Sequence, residues 1–396
     1  MIKEFFKACL DGTTLSQTAY ENAEEKYQAI GNFLEGYFEE NHHVELSIYA
    51  QGSFSTNTVV RPYRGGVDKL YDVDMIVEID ALKGKYTSSE LKSMIKSALD
   101  DSIYKDKYVE WDKCFTVEYA DLGGYEFSID VVPSVPEDLE TKNYLRAITE
   151  VSNSLDSAIA IPDSLSSRNE NRWITNNPKG YSAWFNSKKD VFTVSRYNFM
   201  KFGNVAVYDS IDELPEITDA TELQNVVKAM KRMMAVYYDK KRYSNKPASI
   251  IISTVVAKLA TGGERFDEFE LLKYVVEQLG LTNAYSTMSN SFKNDNAISN
   301  IILRENGNWV MYNPCNGKDN LLDGWNNDAS ASQNFMEWLK YLQDIVLPAL
   351  SGIETPRKYQ VIKEAFASTV AVPELEPPKT TLNEALHTKP YYGITS

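Results

Sequence analysis

Histidine is nearly missing from this chain. Of 396 residues only His42, His43 and His387 are histidine, so chemistry built on a histidine base is poorly supplied, and metal–carboxylate chemistry is the better expectation. Cysteine is equally scarce. Cys9, Cys114 and Cys315 are scattered and odd in number, which excludes a zinc-site spacing and a disulfide framework. No apolar run is long enough to cross a bilayer. The opening MIKEFFKACLDG also lacks the long apolar stretch and small-residue cleavage site of a signal peptide, so a cytoplasmic protein with no membrane partner is expected. Positive charge is in deficit: 41 Lys and Arg stand against 56 Asp and Glu, a net charge of -15. A long nucleic-acid ligand, which needs clustered cations along its phosphates, is therefore disfavoured. Small nucleotides stay open, because they arrive with Mg²⁺ and one concave basic patch can hold them.

What is present is an α+β pattern followed by a helical one. Residues 15–41 place Tyr20, Ala23, Tyr27, Ile30, Leu34, Tyr37 and Phe38 at three- and four-residue steps, the period of an amphipathic helix. HVELSIYAQGS alternates, so Val44, Leu46 and Ile48 share one face of a strand that ends at Gly52-Ser53. TNTVVRPYRGGVDK reads as a loop, through Pro62 and Gly65-Gly66. A strand follows with Asp72 and Asp74, then a helix over 88–103. KCFTVEYADLGGYEFSIDVVPSVP then reads as a hairpin turning at Gly123-Gly124, its second strand carrying Asp130 and stopped by Pro133 and Pro136. A long irregular stretch leads to NRWITNNPKGYSAWF. From Glu222 the pattern is helical, in ELQNVVKAMKRMMAVYYDKK, PASIIISTVVAKLA, RFDEFELLKYVVEQLG and NFMEWLKYLQDIVLPALSG. The expected organisation is a core over 1–214, a helical domain over 215–370 and a polar, proline-bearing tail over 371–396.

The chemistry concentrates at YDVDMIVEID. Side chains at i and i+2 of a strand point the same way, so Asp72 and Asp74 converge, with Cα atoms roughly 7 Å apart from strand rise. Two like charges at that range resist ionising together, and a divalent cation removes the conflict. Asp130 adds a third carboxylate from a strand of similar look, FSIDVV. Three such groups on adjacent strands can hold two Mg²⁺ about 3.5–4 Å apart and clamp an in-line phosphoryl displacement, with Mn²⁺ as a substitute. A bare D-x-D reads more often as a solvated strand end, but here a Gly-Ser closes the preceding strand and a third Asp lies on a later one. Gly52 lets a phosphate approach the backbone, and Ser53 offers it a hydroxyl and an N–H.

The order strand, Gly-Ser, loop, D-x-D, hairpin, Asp resembles the polymerase-beta-like nucleotidyltransferases. YAQGSFSTNTVVRP, NRWITNNPKGYSAWF, LQNVVKAMKRMMAVYY, KPASIIISTVVAKLA and WVMYNPCNGKDNLLDGW are together similar to segments of one branch, the bacterial cGAS/DncV-like family, over about residues 15–365. The resemblance implies a mixed-sheet core with flanking helices plus an oligoadenylate-synthase-like helical domain closing the cleft. It implies that Asp72, Asp74 and Asp130 are the metal triad and that Gln51, Gly52 and Ser53 form the phosphate loop. It matches Lys231 to a lysine that meets the triphosphate, with Lys228 as rival, and Ser249 to a serine near the same phosphates. On spacing alone the two lysines read as a solvated basic face and Ser249 as a helix cap. Tyr181 and Trp184 read as core, His42-His43 as a surface turn, and Cys114 and Cys315 as packing residues. The implied activity joins NTPs (ATP, GTP or pyrimidine NTPs) into cyclic di- or trinucleotides for anti-phage signalling of the CBASS type. The product acts on a separate effector, and regulatory partner proteins are possible members of such systems. With no zinc cluster and an acidic chain, activation by duplex DNA is not expected. A linear oligonucleotide synthase, or nucleotidyl transfer to RNA or protein, is the alternative that the same metal core would serve. A non-enzymatic nucleotide-binding or scaffold protein ranks last, because it would need a broken triad.

Overall fold

A computed structural model describes residues 1–69, 71–119, 127–163, 172–196, 211–214, 220–286 and 301–374. The Gly123-Gly124 turn, the boundary near 215, His387 and nearly all of the tail lie outside the described residues.

Helix α1 (Ile2–Asp11) is followed by α2 (Gln17–His42). Ser16 caps α2, its hydroxyl accepting the Ala19 N–H at 3.2 Å. His43 ends the helix in the left-handed region and is exposed, whereas His42, expected with it in a surface turn, is the half-buried last residue of α2, its ring 5.0 Å from that of Phe38. Ala23, Tyr27, Ile30, Leu34 and Phe38 form its buried stripe. Next come β1 (Leu46–Gln51), the single-turn α3 (Gly52–Ser55), a hairpin of β2 (Tyr63–Arg64) and β3 (Val67–Asp68), then β4 (Tyr71–Ile79), α4 (Ser88–Asp100), β5 (Tyr108–Glu110), β6 (Phe115–Tyr119) and β7 (Phe127–Pro136). The sheet order is β1-β4-β7-β6-β5, with β4 and β7 parallel and the other neighbours antiparallel. The alternation is strict where it matters. Val73, Met75 and Val77 of β4, and Ile129 and Val131 of β7, face the core under α2 and α4, so Asp72, Asp74 and Asp130 occupy the opposite face.

Three expectations are corrected here. The loop before Asp72 contains the short β2–β3 hairpin. Pro133 does not stop β7, which continues to Pro136. Pairing with β6 ends at Val131 and pairing with β8 begins at Val135, so the missing N–H falls where that edge has no partner. The stretch expected to be irregular holds α5 (Leu139–Arg146), β8 (Ile159–Pro162), which pairs antiparallel with the end of β7, and β9 (Trp173–Asn176), which pairs with β8.

Helix α6 (Pro178–Arg196) leads to the second half: α7 (Glu222–Lys241), α8 (Ser249–Leu259), α9 (Glu268–Ser286), two small hairpins, and then α10 (Asp323–Asn327), α11 (Ala329–Tyr341), α12 (Leu347–Ala349) and α13 (Pro356–Phe366). The helix expected over 334–352 is present and continuous from Ala329 to Ala349, widening into a π-turn at Leu342–Val346 just before Pro348, which cannot donate to the helical ladder. Helix α7 is buried along most of its length and forms the axis of a second core. Helix α1 joins that core through Phe5, Phe6, Cys9 and Leu10, and α6 through Tyr181, Trp184 and Phe185. Phe5 meets Tyr359 edge-on at 5.1 Å, and Phe6 meets Phe366 at 5.5 Å. Cys315 is fully buried and Cys114 half-buried. Among the described residues, no helix is long and apolar enough to cross a membrane.

Candidate active site

Register builds the site. Gln51 pairs with Asp74, Asp74 with Asp130, and Asp130 with Thr116, so one row crosses four strands on the cleft face. In the next row Asp72 pairs with Ser128. Each flanking hydroxyl serves a carboxylate: Thr116 Oγ1 donates to Asp130 Oδ1 at 2.5 Å, and Ser128 Oγ to Asp72 Oδ1 at 2.7 Å. Asp74 is enclosed more deeply. Burial first, then repulsion from Asp130 and Asp72, pushes its carboxyl up to about 7, with Lys231 opposing. Burial also raises Asp130, against the Thr116 hydrogen bond. The sequence signal for these two hydroxyls was the i,i−2 step from Asp130 to Ser128 and the antiparallel pairing of the hairpin, which fixes Thr116 only once the turn length is known.

Gly52 is required at its position. Its φ is 68°, and a Cβ there would fall on Asp74 Oδ2. Gln51 stands just before the single turn α3, which Gly52 and Ser53 open. The loop after it folds back, with the Thr58 N–H donating to the Ser53 carbonyl at 2.9 Å and Thr56 Oγ1 to the Gly52 carbonyl at 3.0 Å.

Helix α7 forms the other wall. Lys228 and Lys231 are each only 6% exposed, which overturns the solvated-face reading, because this side of α7 packs on the Gly-Ser loop. Lys231 Nζ donates to Thr58 Oγ1 at 2.8 Å and to the Thr58 carbonyl at 3.2 Å. Burial, with Lys228 and Lys246 adding repulsion, pulls its ammonium down to about 7, opposed by Asp74. Burial lowers Lys228 to about 8, opposed by Asp11. Gln224 Nε2 donates to the Thr56 carbonyl at 2.9 Å. Ser249 is exposed as the first residue of α8, whose N-cap is Ala248, so the cap reading fails. Ser249 belongs to the helix end itself.

Sequence reasoning missed Asn177 and Lys246. Asn177 is 1% exposed. Its Nδ2 donates to the Cys315 carbonyl at 3.0 Å and the Ser154 carbonyl at 3.1 Å, and its Oδ1 accepts the Gly180 N–H at 3.1 Å. It thus holds the start of α6 against the second half. Burial lowers the ammonium of Lys246, in the α7–α8 link, with Asp72 opposing and Arg64 adding repulsion. A cavity of about 520 Å³ lies elsewhere on α7, lined by Met233, Tyr237, Lys240, Tyr341 and Asp344 among others. It shares no residue with the carboxylate rows.

Three oxygen-donor carboxylates suit a hard divalent cation, and the raised Asp74 carboxyl marks a charge that a cation would relieve. Asp72, Asp74 and Asp130 therefore fit such an ion. As the side chains stand, no group of three or more acid, histidine or cysteine residues among the described residues is placed to hold a metal ion, so these three would have to turn toward one another to do so. Asp72 leans on Ser128 and Asp130 on Thr116, so those hydroxyls would share or yield their carboxylates.

Carboxylates in register at one end of a mixed sheet, a glycine turn pressed on them and buried lysines opposite are the arrangement of a nucleotidyltransferase. Residues 1–189 match the model of the Second Messenger Oligonucleotide or Dinucleotide Synthetase domain. A c-di-GMP synthase of Roseivirga ehrenbergii is 23% identical over 379 residues, spanning 94% of this chain and 86% of that protein. Among solved structures, the Bradyrhizobium diazoefficiens CD-NTase CdnG in complex with GTP aligns with a TM-score of 0.60 at 16% identity, covering 92% of this chain and 97% of its own. The E. coli MS115-1 CdnC:HORMA-deltaN complex aligns at 0.59 and 15%, covering 93% and 96%. The chain is thus similar in its first 189 residues to that synthetase domain, over nearly its whole length to a c-di-GMP synthase, and in fold to solved CD-NTases.

Proposed function

We propose that this enzyme condenses NTPs into a cyclic di- or trinucleotide second messenger. The observation that carries the reading is the register row Gln51–Asp74–Asp130–Thr116, with Asp72 beside it and Gly52 packed on Asp74. The division into a core and a helical domain near 215 is part of the same reading. The triphosphate lies along Gly52 and Ser53, toward Lys231, Lys228 and Ser249. Mg²⁺, or Mn²⁺ in its place, held by Asp72, Asp74 and Asp130, would neutralise the triphosphate and polarise the reacting α-phosphate.

The chain's own groups do the rest. A ribose 2′- or 3′-hydroxyl oxygen attacks the α-phosphorus in line, its new P–O bond forming as the bond to pyrophosphate breaks. Asp130, its carboxyl raised by burial against the Thr116 hydrogen bond, takes the hydroxyl proton. Lys231 and Lys228 meet the charge that grows on pyrophosphate. Repeating the step within the cleft closes the ring.

In this reading the protein is cytoplasmic and serves anti-phage signalling of the CBASS type. Its product reaches a separate effector, a regulatory partner is possible, as the HORMA-bound relative illustrates, and duplex DNA is not the trigger. ATP and GTP are the first substrates to try, then pyrimidine NTPs. The test is incubation with all four NTPs and Mg²⁺, phosphatase treatment and mass spectrometry. A phosphatase-resistant product that disappears in Asp72→Asn/Asp74→Asn supports the reading. A linear product, or a labelled RNA or protein, would transfer the function to those alternatives.

A further inference from the structure

Helix α6 lies between the two cores and shows a different side to each. Tyr181, Trp184 and Phe185 are buried in the second core, and the Tyr181 hydroxyl shares a hydrogen bond with Thr254 Oγ1 of α8 at 2.9 Å. Lys179 and Ser182, three apart and so neighbours on another side, reach the sheet half. Lys179 Nζ lies over the Tyr49 ring, 3.9 Å from its centre, and Ser182 Oγ donates to Ser55 Oγ at 2.8 Å. Ser55 is the last residue of α3, and its hydroxyl donates in turn to the Gly52 carbonyl at 3.0 Å.

Helix α7 reaches the same carbonyl by a second route. Lys231 Nζ donates to Thr58 Oγ1 at 2.8 Å, the Thr58 and Thr56 hydroxyls share a hydrogen bond at 2.9 Å, and Thr56 Oγ1 donates to the Gly52 carbonyl at 3.0 Å. A hydroxyl has one proton to give. Thr56 gives its own to Gly52, so Thr58 is the donor between the two threonines, and the relay runs one way from α7 to Gly52. Both threonines are buried. Two relays therefore start on two helices of the second core and end on one oxygen. A peptide group is planar and trans, with its C=O and N–H antiparallel. Fixing the Gly52 carbonyl thus fixes the direction of the Ser53 N–H, the group that the proposed function sets against phosphate.

We infer that the Gly52 carbonyl is the point at which the second core sets the phosphate loop, and that Ser182, acting through Ser55, is a positioning residue for nucleotide binding, with Thr58 and Thr56 in the matching role from α7. This rests on the function proposed above and adds to it the means by which the loop is held. Each relay limits rotation of the Gly52–Ser53 peptide, and loss of one leaves the other in place. Gly52 also packs on Asp74, so the loop and that carboxylate are placed together.

The test uses the full chain, with calorimetric binding of non-hydrolysable ATP and GTP analogues and steady-state condensation. The loop meets phosphates already present in the bound nucleotide, so loss of a positioning contact belongs in KM, whereas general loosening lowers the active fraction and hence kcat alone. Ser182→Ala is expected to weaken analogue binding and raise KM about fivefold, the scale of one hydrogen bond, with kcat within about twofold of the wild type. Ser182→Thr should restore both. Thr56→Val should act like Ser182→Ala, and the double variant should exceed the product of the two single losses, because only then is the Gly52 carbonyl released from both relays. An unchanged KM in Ser182→Ala, an equal loss in Ser182→Thr, or a double variant that equals the product of the singles overturns the inference and leaves the function standing. A wild-type protein that binds no NTP and makes no product overturns the function itself. Circular dichroism of each variant separates these outcomes from misfolding.

Discussion

On the sheet side of the cleft, Asp74 and Asp130 face each other across a parallel strand pair, and Ser128 and Thr116 hold the outer carboxylates. On the helix side, Lys231 reaches the Gly-Ser loop through Thr58. Both walls carry ionisable groups shifted toward neutrality by burial, Asp74 upward and Lys231 downward. The difference lies in what answers each charge. The lysine already has a carbonyl and a hydroxyl, so its wall is complete as folded. The acids have only two hydroxyls among three carboxylates and repel one another, so their wall is left unbalanced as folded, and in the proposed function cations and phosphate complete it. A site divided this way has a structural wall and a ligand-dependent wall, and the two should respond differently to substitution.

The largest contrast comes from the acids. Asp72→Asn with Asp74→Asn keeps shape and the Ser128 contact but removes two charges, and should cut condensation by at least a thousandfold, as loss of metal-assisted electrostatic stabilisation does. Product formation by mass spectrometry and the circular-dichroism melt check this together. A folded double variant that still condenses NTPs would show that the carboxylate wall is not the reaction centre. Gly52→Ala comes next. The left-handed backbone and the collision with Asp74 Oδ2 should cost about 1–3 kcal/mol in stability and roughly a hundredfold in kcat, since misplaced reacting groups lose rate on that scale. Retained activity in Gly52→Ala would mean that the loop and β4 move apart freely.

How much of this could be read from the chain follows the same division. Asp72, Asp74 and Asp130 were legible because strand alternation is local: an acid at every second position amid Val73, Met75 and Val77 announces its face. The α+β-then-helical order and the full span of α7 were legible for a similar reason, from sustained periodicity. Lys231 was not legible from spacing. A helix buried on nearly all sides has no polar face to compare with, and burial of Lys228 and Lys231 is decided by the Gly-Ser loop more than 170 positions earlier in the chain. The seating of the β2–β3 hairpin was not legible for that reason too, since a remote anchor sets its direction, Asp239 accepting from Gly65 and Gly66. Helix α1 has a helical pattern, but nothing local says that Phe6 belongs beside Phe366 in the second core.

A milder effect is expected on the structural wall. Lys231→Met keeps length and removes the ammonium, leaving Thr58 without its partner. Removing one partner leaves the buried Thr58 carbonyl unpaired and Asp74 without its opposing cation, so stability should fall by about 1–3 kcal/mol. Condensation should also fall roughly tenfold, the scale of one lost charge-assisted contact to phosphate. Urea titration and steady-state kinetics check the pair of outcomes. If stability falls while the remaining folded enzyme keeps its kcat, Lys231 is only a brace for the Thr56–Thr58 turn.

The smallest effect separates the walls most cleanly, because it concerns stability without substrate. Asp74 has a carboxyl raised to about 7 in the folded protein from an ordinary value of 3.8. Between those values the folded state keeps a proton that the unfolded state has released. Stability from this group is therefore undiminished below about pH 4, declines as pH rises toward 7, and stays low above it. Asparagine does not titrate. In chelator, Asp74→Asn should match the wild type near pH 4 and exceed it by about 1–3 kcal/mol above pH 7, once solvent in the half-open cleft is allowed for. Mg²⁺ should then reverse the order at pH 8, because it binds the folded wild type and not the variant, and its advantage should shrink as pH falls through 7 and protons compete for Asp74. Thermal melts of both proteins across pH, with and without Mg²⁺, measure this. A wild type that is the more stable of the two at pH 8 in chelator would mean that Lys231 already neutralises Asp74, and the carboxylate wall would then be as self-sufficient as the lysine one.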